Sequence, residues 1–80
     1  MATVGQIVRE ARVKANLTLE ELAKQLGLRS IQYLSEIERD SCSLAPKHYR
    51  AVSKTLHVSL EQLIEANVAE YVKQLKQKVG

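Results

Sequence analysis

The chain lacks several features on which other classes of protein depend. It has no phenylalanine and no tryptophan, so its core must be aliphatic, with three tyrosines as the only aromatic side chains. Its single cysteine, Cys42, cannot form an intramolecular disulfide, so the fold does not rely on an oxidising compartment. No apolar run approaches the roughly 18 residues of a membrane-spanning helix, and the N-terminus has no signal-peptide core. We therefore expect a cytoplasmic protein without a membrane partner.

The charges form no basic stripe, although the chain is basic overall with a net charge of +3. Residues 1–40 contain six basic and six acidic side chains, so the whole positive excess lies in residues 41–80. Basic residues clustered on one face are the usual electrostatic signature of a nucleic-acid-binding domain. Charge alone therefore does not indicate a nucleic-acid partner, and a prediction of nucleic-acid binding must rest on the pattern of residues.

The length and the apolar periodicity predict a small helical domain. Eighty residues form at most one domain, near the lower limit for a self-sufficient core. Thr18 and Glu21 have the spacing of a capping box that begins a helix, and Pro46 suits the first turn of a later one. No β-strand pattern is visible. The sequence predicts an all-α domain of five helices over residues 1–66, followed by a helical extension over residues 67–80.

Three residues are expected to end helices in the left-handed conformation. They are Asn16 after the first helix, Gly27 after the second and His57 after the fourth. Glycine adopts a positive φ without steric cost, and asparagine and histidine are enriched there among other residues.

One predicted helix, over residues 30–39, has a polar edge that core packing does not explain. Leu34 and Ile37 can face inward at helical spacing, which leaves Gln32 and Glu36 among the outward residues. A helix this short is not stable alone in water, so neighbouring helices must hold it. We predict that the domain presents this helix, and that its outer face enters the major groove of DNA.

Four stretches match one known family in order and with near-correct spacing, namely VGQIVREAR at 4–12, LTLEELAKQLG at 17–27, YLSEIER at 33–39 and VSLEQL at 58–63. On these stretches the chain resembles the lambda-repressor/Cro-type (Xre-like) helix-turn-helix family, over roughly residues 3–66. The resemblance implies a lambda-repressor-like five-helix fold. It also implies sequence-specific binding of double-stranded DNA by a transcriptional regulator, which we expect to be a repressor.

The chain departs from the family pattern at three places. Leu19 stands where the family usually has a glutamine that touches phosphate. The turn before the third helix is one residue longer than usual, which leaves open whether Ile31 or Gln32 takes the first base-reading position. Glu36 lies at an outward position where neutral or basic residues are more common, and each departure makes the DNA sequence harder to predict.

Gln32 is the strongest candidate for reading a base, through a bidentate contact with adenine in the major groove. Glu36 could accept a hydrogen bond from cytosine or could repel phosphate and so discourage nonspecific binding; both readings remain open. Basic residues near the turn and the helix ends suit contacts with the DNA backbone. The complete predicted DNA-binding set is Thr18, Leu19, Arg29, Ser30, Ile31, Gln32, Tyr33, Ser35, Glu36, Arg39 and Lys47.

Arg12 and Glu38 are expected to serve the fold. The resemblance implies a partly buried ion pair between them, which ties the first helix to the end of the third.

The extension over residues 67–80 carries an apolar stripe with no remaining core to cover. A second copy of the same stripe is the simplest partner, and we predict a homodimer. The predicted contact residues are Val68, Val72, Leu75 and Val79.

Nothing in the sequence indicates an enzyme, a metal site, a cofactor or a small-molecule ligand. His48 and His57 lack a cysteine or an acid at metal-ligand spacing, and Cys42 has no adjacent histidine. An alternative from a different class is a protein-interaction adaptor, or an antitoxin-type partner protein, that retains the helix-turn-helix fold. The neutral first half of the chain, together with Leu19 and Glu36, favours this alternative.

Overall fold

The computed structural model of the chain describes residues 2–79. Within them the chain forms five α-helices and one 3-10 helix, which are in order α1 (Val4–Lys14), α2 (Leu19–Leu26), α3 (Ile31–Glu38), the 3-10 helix (Pro46–His48), α4 (Tyr49–Leu56) and α5 (Leu60–Val79). No β-strand occurs in this part of the chain. The prediction of an all-α fold with five helices is confirmed.

Side-chain caps begin the first three helices. In α1 the Thr3 hydroxyl accepts a hydrogen bond from the Gln6 amide at 3.1 Å, and the Gln6 side chain accepts one from the Thr3 amide at 3.2 Å. The same reciprocal pair forms between Thr18 and Glu21 at the start of α2. Ser30 accepts from the Tyr33 amide at the start of α3. These bonds satisfy amides that a helix leaves without an internal partner.

Left-handed residues end the helices where the sequence predicts them. Asn16, Gly27 and His57 have φ values of 58°, 68° and 57°. A fourth residue, Asp40, has a φ of 62° two positions after the end of α3, where the sequence does not predict it. Aspartate is one of the few residues other than glycine that tolerates this region.

The core is aliphatic, as the composition requires, and lies between α1, α2, α3, α4 and the first two turns of α5. Its most completely buried side chains are Val8, Leu22, Leu34, Ile37, Val52 and Leu63.

The N-terminal end of α1 lies directly against the C-terminal end of α3. A Cβ atom on Gly5 would overlap the carbonyl oxygen of Ile37, so only glycine allows this approach. The Thr3 hydroxyl donates to a carboxylate oxygen of Asp40 at 2.8 Å, which connects the cap of α1 to the turn after α3. The start of α1 therefore positions the end of α3.

An ion pair between Arg12 and Glu38 makes the second connection between α1 and α3. The Arg12 Nε donates to Glu38 Oε2 at 2.8 Å and its Nη2 donates to Oε1 at 3.2 Å, while Nη1 donates to the Leu17 carbonyl at 2.8 Å. The two side chains are only 16% and 6% exposed. The structure thus contains the pair that the family resemblance implies, in the bidentate geometry that suits a guanidinium group and a carboxylate.

The last helix, α5, continues for 20 residues without a break. Leu63 and Ala66 are buried against the core, Ala69 and Glu70 are half-buried, and the side chains from Tyr71 to Lys78 are exposed. The predicted boundary between residues 66 and 67 therefore falls inside a continuous helix. No helix in residues 2–79 is long and apolar enough to cross a membrane.

Candidate nucleic-acid interface

The turn between α2 and α3 sets the position of α3. Gly27 ends α2, and the Leu28 amide donates back to the Ala23 carbonyl at 2.9 Å, which closes the helix end. Ala23 is buried, and its small side chain allows α3 to approach α2 closely. With α1 attached to the far end of α3, both ends of this eight-residue helix are held.

The two faces of α3 divide as the helical spacing predicts. Leu34, Ile37 and Glu38 are buried, and they attach the helix to the core. Ile31 and Gln32, the first two residues of the helix, are both exposed. The remaining predicted contact residues of this helix and its flanks are exposed or partly buried: Ser30, Tyr33, Ser35, Glu36 and Arg39.

Two of these positions, Gln32 and Glu36, form a hydrogen-bonded chain with Cys42 of the loop after α3. The Gln32 Nε2 donates to Glu36 Oε1 at 3.2 Å, one helical turn later. The Cys42 thiol donates to the other oxygen, Oε2, at 3.3 Å. These two bonds, with that from Cys42 the larger cause, hold the pKa of Glu36 below its ordinary value. The same contact with Glu36 raises the pKa of the Cys42 thiol, and burial adds to this shift.

The loop after α3 folds back over the end of the helix. The amides of Ser41 and Cys42 both donate to the Glu36 carbonyl, at 2.9 and 3.3 Å. The Tyr33 hydroxyl donates to the Ser43 carbonyl at 3.5 Å, a long bond on the same side. The sequence does not predict this contact of Cys42 with α3. A residue six positions beyond Glu36, in a loop, carries no signal that would predict it.

Two of the three predicted phosphate contacts lie in the segments that flank α3. Arg29 is in the turn before it, Arg39 directly follows it and Lys47 is in the 3-10 helix; all three are exposed. The Arg39 Nε lies 3.4 Å from the Ser35 carbonyl, so the guanidinium group rests along the last turn of α3.

The start of α2 combines free amides with negative side chains. The Leu19 side chain is partly buried and packs against the core, so its backbone amide is the group left to bind phosphate. The Thr18 hydroxyl already accepts from the Glu21 amide. The pKa of Glu21 is lowered, first by the Thr18 amide and then by the Thr18 hydroxyl. Any phosphate at this helix start would lie beside the Glu20 and Glu21 carboxylates.

The predicted dimer residues form an exposed apolar stripe along α5. Val68, Val72 and Leu75 are 53%, 44% and 41% exposed. Ile64 and Tyr71 are also exposed and widen the stripe. The Val79 side chain lies outside the described residues.

Within residues 2–79, no group of three or more His, Cys, Asp or Glu side chains has an arrangement that could hold a metal ion.

Comparisons with known proteins give a family and a set of similar structures. A family model described as Helix-turn-helix (HTH_3) matches residues 8–63. The chain is 32% identical to the master regulator for biofilm formation SinR, in a crystal structure with DNA; the match covers 78% of this chain and 98% of that chain, with a TM-score of 0.68. It is also 32% identical to the N-terminal DNA-binding domain of SinR from Bacillus subtilis, covering 76% and 88% of the two chains with a TM-score of 0.65.

A third similar structure is the complex of the SinR and SinI proteins. The match has 27% identity and a TM-score of 0.68, and it covers 96% of this chain and 79% of that chain. This coverage means that the similarity extends into α5. The comparison with curated proteins gave no match.

Proposed function

Because the chain belongs to the Helix-turn-helix family (HTH_3), it is a DNA-binding transcriptional regulator, and we propose that α3 reads the major groove of its DNA site. The observation that carries this proposal is the division of α3 into two faces. Leu34, Ile37 and Glu38 fix the helix in the core, while Ile31 and Gln32 at its start are exposed. SinR, to which the chain is similar, has been crystallised with DNA.

Base recognition is assigned to the first turn of α3. The Gln32 amide has one donor side and one acceptor side, which match N7 and the N6 amino group of adenine. The Ile31 side chain is apolar and 44% exposed, and the chemistry that suits it in the major groove is the methyl group of thymine. The two neighbouring positions would then favour a site rich in A·T pairs.

Affinity is assigned mainly to contacts with phosphate. Arg29 and Arg39 flank α3, and Lys47 lies in the 3-10 helix. All three are exposed, and each would replace condensed counterions on the DNA. These contacts position the protein but carry no sequence information.

The apolar stripe of α5 is assigned to a homodimer. Val68, Val72 and Leu75 are exposed at helical spacing, and pairing with a second copy would remove them from water. A dimer would place two α3 helices about 34 Å apart on one face of a near-palindromic site. A regulator bound in this way is expected to act as a repressor.

Truncation after Ala66 tests the dimer. It keeps Leu63 and Ala66, which are buried in the core, and removes the exposed stripe. We expect the full chain to elute as a dimer and the truncated chain as a folded monomer, with weaker binding to a two-half-site duplex. A truncated chain that remains dimeric places the interface elsewhere.

Selection from a pool of random DNA duplexes tests the assignment of α3. We expect the wild-type protein to enrich one motif and the Gln32→Ala variant to lose the preference for adenine at one position per half-site. Gln25→Ala, which changes an exposed glutamine of α2, is the matched control and should enrich the wild-type motif. If Gln32→Ala enriches the unchanged motif, Gln32 does not read a base.

A second candidate function is docking on another protein, and one observation favours it. The match to the SinR chain of the SinR–SinI complex extends into α5, where the exposed stripe lies. An adaptor of this kind would bind a partner through α5 and would be indifferent to DNA. The test is to measure binding to mixed duplex DNA between 50 and 200 mM salt. A steep loss of affinity, about as expected for counterion release, supports the first function and excludes a purely adaptor role.

A further inference from the structure

We infer that Glu36 and Cys42 are positioning residues, which fix the orientation of the Gln32 side-chain amide and thereby set the base that α3 accepts. The inference rests on the proposed role of α3 in reading DNA. The three side chains form one continuous chain of hydrogen bonds, from Cys42 to Glu36 and from Gln32 to Glu36. Gln32 lies in the exposed first turn of α3 and Cys42 in the loop beyond its end.

The carboxylate of Glu36 determines which way the Gln32 amide faces. An ionised carboxylate only accepts hydrogen bonds, so it must meet the Nε2 side of the amide and never the Oε1 side. The nitrogen carries two N–H groups, and the bond to Glu36 uses one of them. Gln32 is left with one N–H donor and one carbonyl acceptor in a fixed order.

The contact with Cys42 keeps Glu36 in place. The thiol donates to Oε2 while Gln32 donates to Oε1, so each carboxylate oxygen has its own partner. Cys42 is itself held, because its amide donates to the Glu36 carbonyl and its side chain packs against the core. With one donor on each oxygen, the Glu36 carboxylate is held from both sides, which is what a positioning role requires.

The fixed order of donor and acceptor matches adenine and not guanine. Adenine offers an acceptor at N7 and a donor at N6, whereas guanine offers two acceptors at N7 and O6. A glutamine whose amide is free to turn can instead direct both N–H groups of Nε2 at N7 and O6 of guanine, which Gln32 cannot do while one of them is bonded to Glu36. By preventing that rotation, Glu36 favours adenine over guanine as the base that Gln32 contacts.

Glu36→Gln is the direct test, because an amide at position 36 can donate as well as accept and no longer dictates how Gln32 faces. The readout is the ratio of Kd values for two duplexes that differ by A·T or G·C at the Gln32-dependent position. We expect this ratio to fall roughly tenfold, within the discrimination typical of one bidentate contact. Affinity for mixed DNA should be unchanged or higher, since a negative charge near phosphate has gone. Glu61→Gln, on the exposed first turn of α5, is the charge control and should keep the wild-type ratio.

Two variants at Cys42 separate positioning from a general effect on the fold. Cys42→Ala removes the thiol donor and should lower the same ratio, whereas Cys42→Ser keeps a donor and should restore most of it. A purely structural role would lower the melting temperature and the affinity for every duplex, without changing the ratio between the two.

The side-chain amide of Gln32 provides a readout that needs no DNA. In NMR relaxation of the free protein we expect its Nε2 group to be more ordered than that of Gln25, and to lose this order in Glu36→Gln. Equal mobility of the two amides in the wild-type protein overturns the inference. So does an unchanged Kd ratio in Glu36→Gln, which would leave the proposed function of α3 standing. A wild-type protein that prefers no DNA sequence overturns both.

Discussion

Replacing Glu38 with alanine should destabilise the domain strongly. The substitution removes both partners of the Arg12 Nε and Nη2 groups and leaves a guanidinium group that is only 16% exposed. Breaking a buried ion pair by removing one partner typically costs about 3–5 kcal/mol. Arg12 keeps its bond to the Leu17 carbonyl and some contact with water, so we expect the lower end, about 3 kcal/mol.

This loss is a large share of the total for a chain of this size. A domain of 80 residues has a free energy of unfolding of about 4–12 kcal/mol. Each kcal/mol shifts the melting temperature by about 4–8 °C in a domain of this size, so Glu38→Ala should melt roughly 12–24 °C lower. Thermal and urea unfolding, followed by helical circular dichroism, measure both quantities.

A double variant tests the physical reason. Arg12→Met with Glu38→Leu removes both charges and leaves no uncompensated ion, so it should be less destabilised than Glu38→Ala alone. An unchanged melting curve for Glu38→Ala would refute the role of the pair. If the double variant loses as much free energy of unfolding as the two single substitutions added together, the explanation by an unpaired charge is refuted.

Three further predictions concern the approach of α1 to α3, the cap of α2 and the phosphate contacts. Gly5→Ala should destabilise the domain by about 1–3 kcal/mol in urea unfolding, because the added Cβ would overlap the Ile37 carbonyl. Elsewhere in a helix, the same substitution is stabilising. Glu10→Ala, on the exposed side of α1, should be nearly neutral in the same measurement. The folded-state pKa of Glu21 is depressed, so its ionised form stabilises the fold above the unfolded-state pKa and this contribution disappears as the pH falls through the folded pKa. The difference in melting temperature between wild type and Glu21→Gln should therefore vanish in acid, and a difference that grows in acid would contradict the assignment. Arg29→Ala should reduce the slope of log K against log salt by about 1 without altering base preference, whereas an unchanged slope would show that Arg29 makes no phosphate contact.

The sequence predicts the helices and their ends well, because those signals are local. The Thr18 and Glu21 capping box, and the left-handed ends at Asn16, Gly27 and His57, each depend on a few neighbouring residues. The inward face of α3 follows from helical spacing in the same way.

Features that depend on distant parts of the chain could not be predicted. Gly5 looks like an ordinary helix residue until α3 is placed against it, and Asp40 has a positive φ in a turn that α1 helps to hold. The contact of Cys42 with Glu36 depends on how the loop after α3 folds back. By contrast, the i, i+4 spacing of Gln32 and Glu36 would have allowed their hydrogen bond to be predicted.

The sequence predicts a separate helix for the C-terminal extension, because the apolar stripe there has no remaining core to cover, unlike the core-facing residues before it. In the structure it continues α5, since no glycine or proline interrupts residues 60–79. The backbone of a helix stays the same whether its apolar side chains cover the core or remain exposed.

The central claim is that Gln32 in the exposed first turn of α3 reads a base, and one ratio tests it most directly. The measurement is the Kd for a scrambled duplex divided by the Kd for the duplex selected by the wild-type protein, taken at one salt concentration. We predict that Gln32→Ala lowers this ratio roughly tenfold per half-site, with little change in binding to the scrambled duplex. A wild-type ratio near one, or the same ratio in both proteins, would contradict the claim.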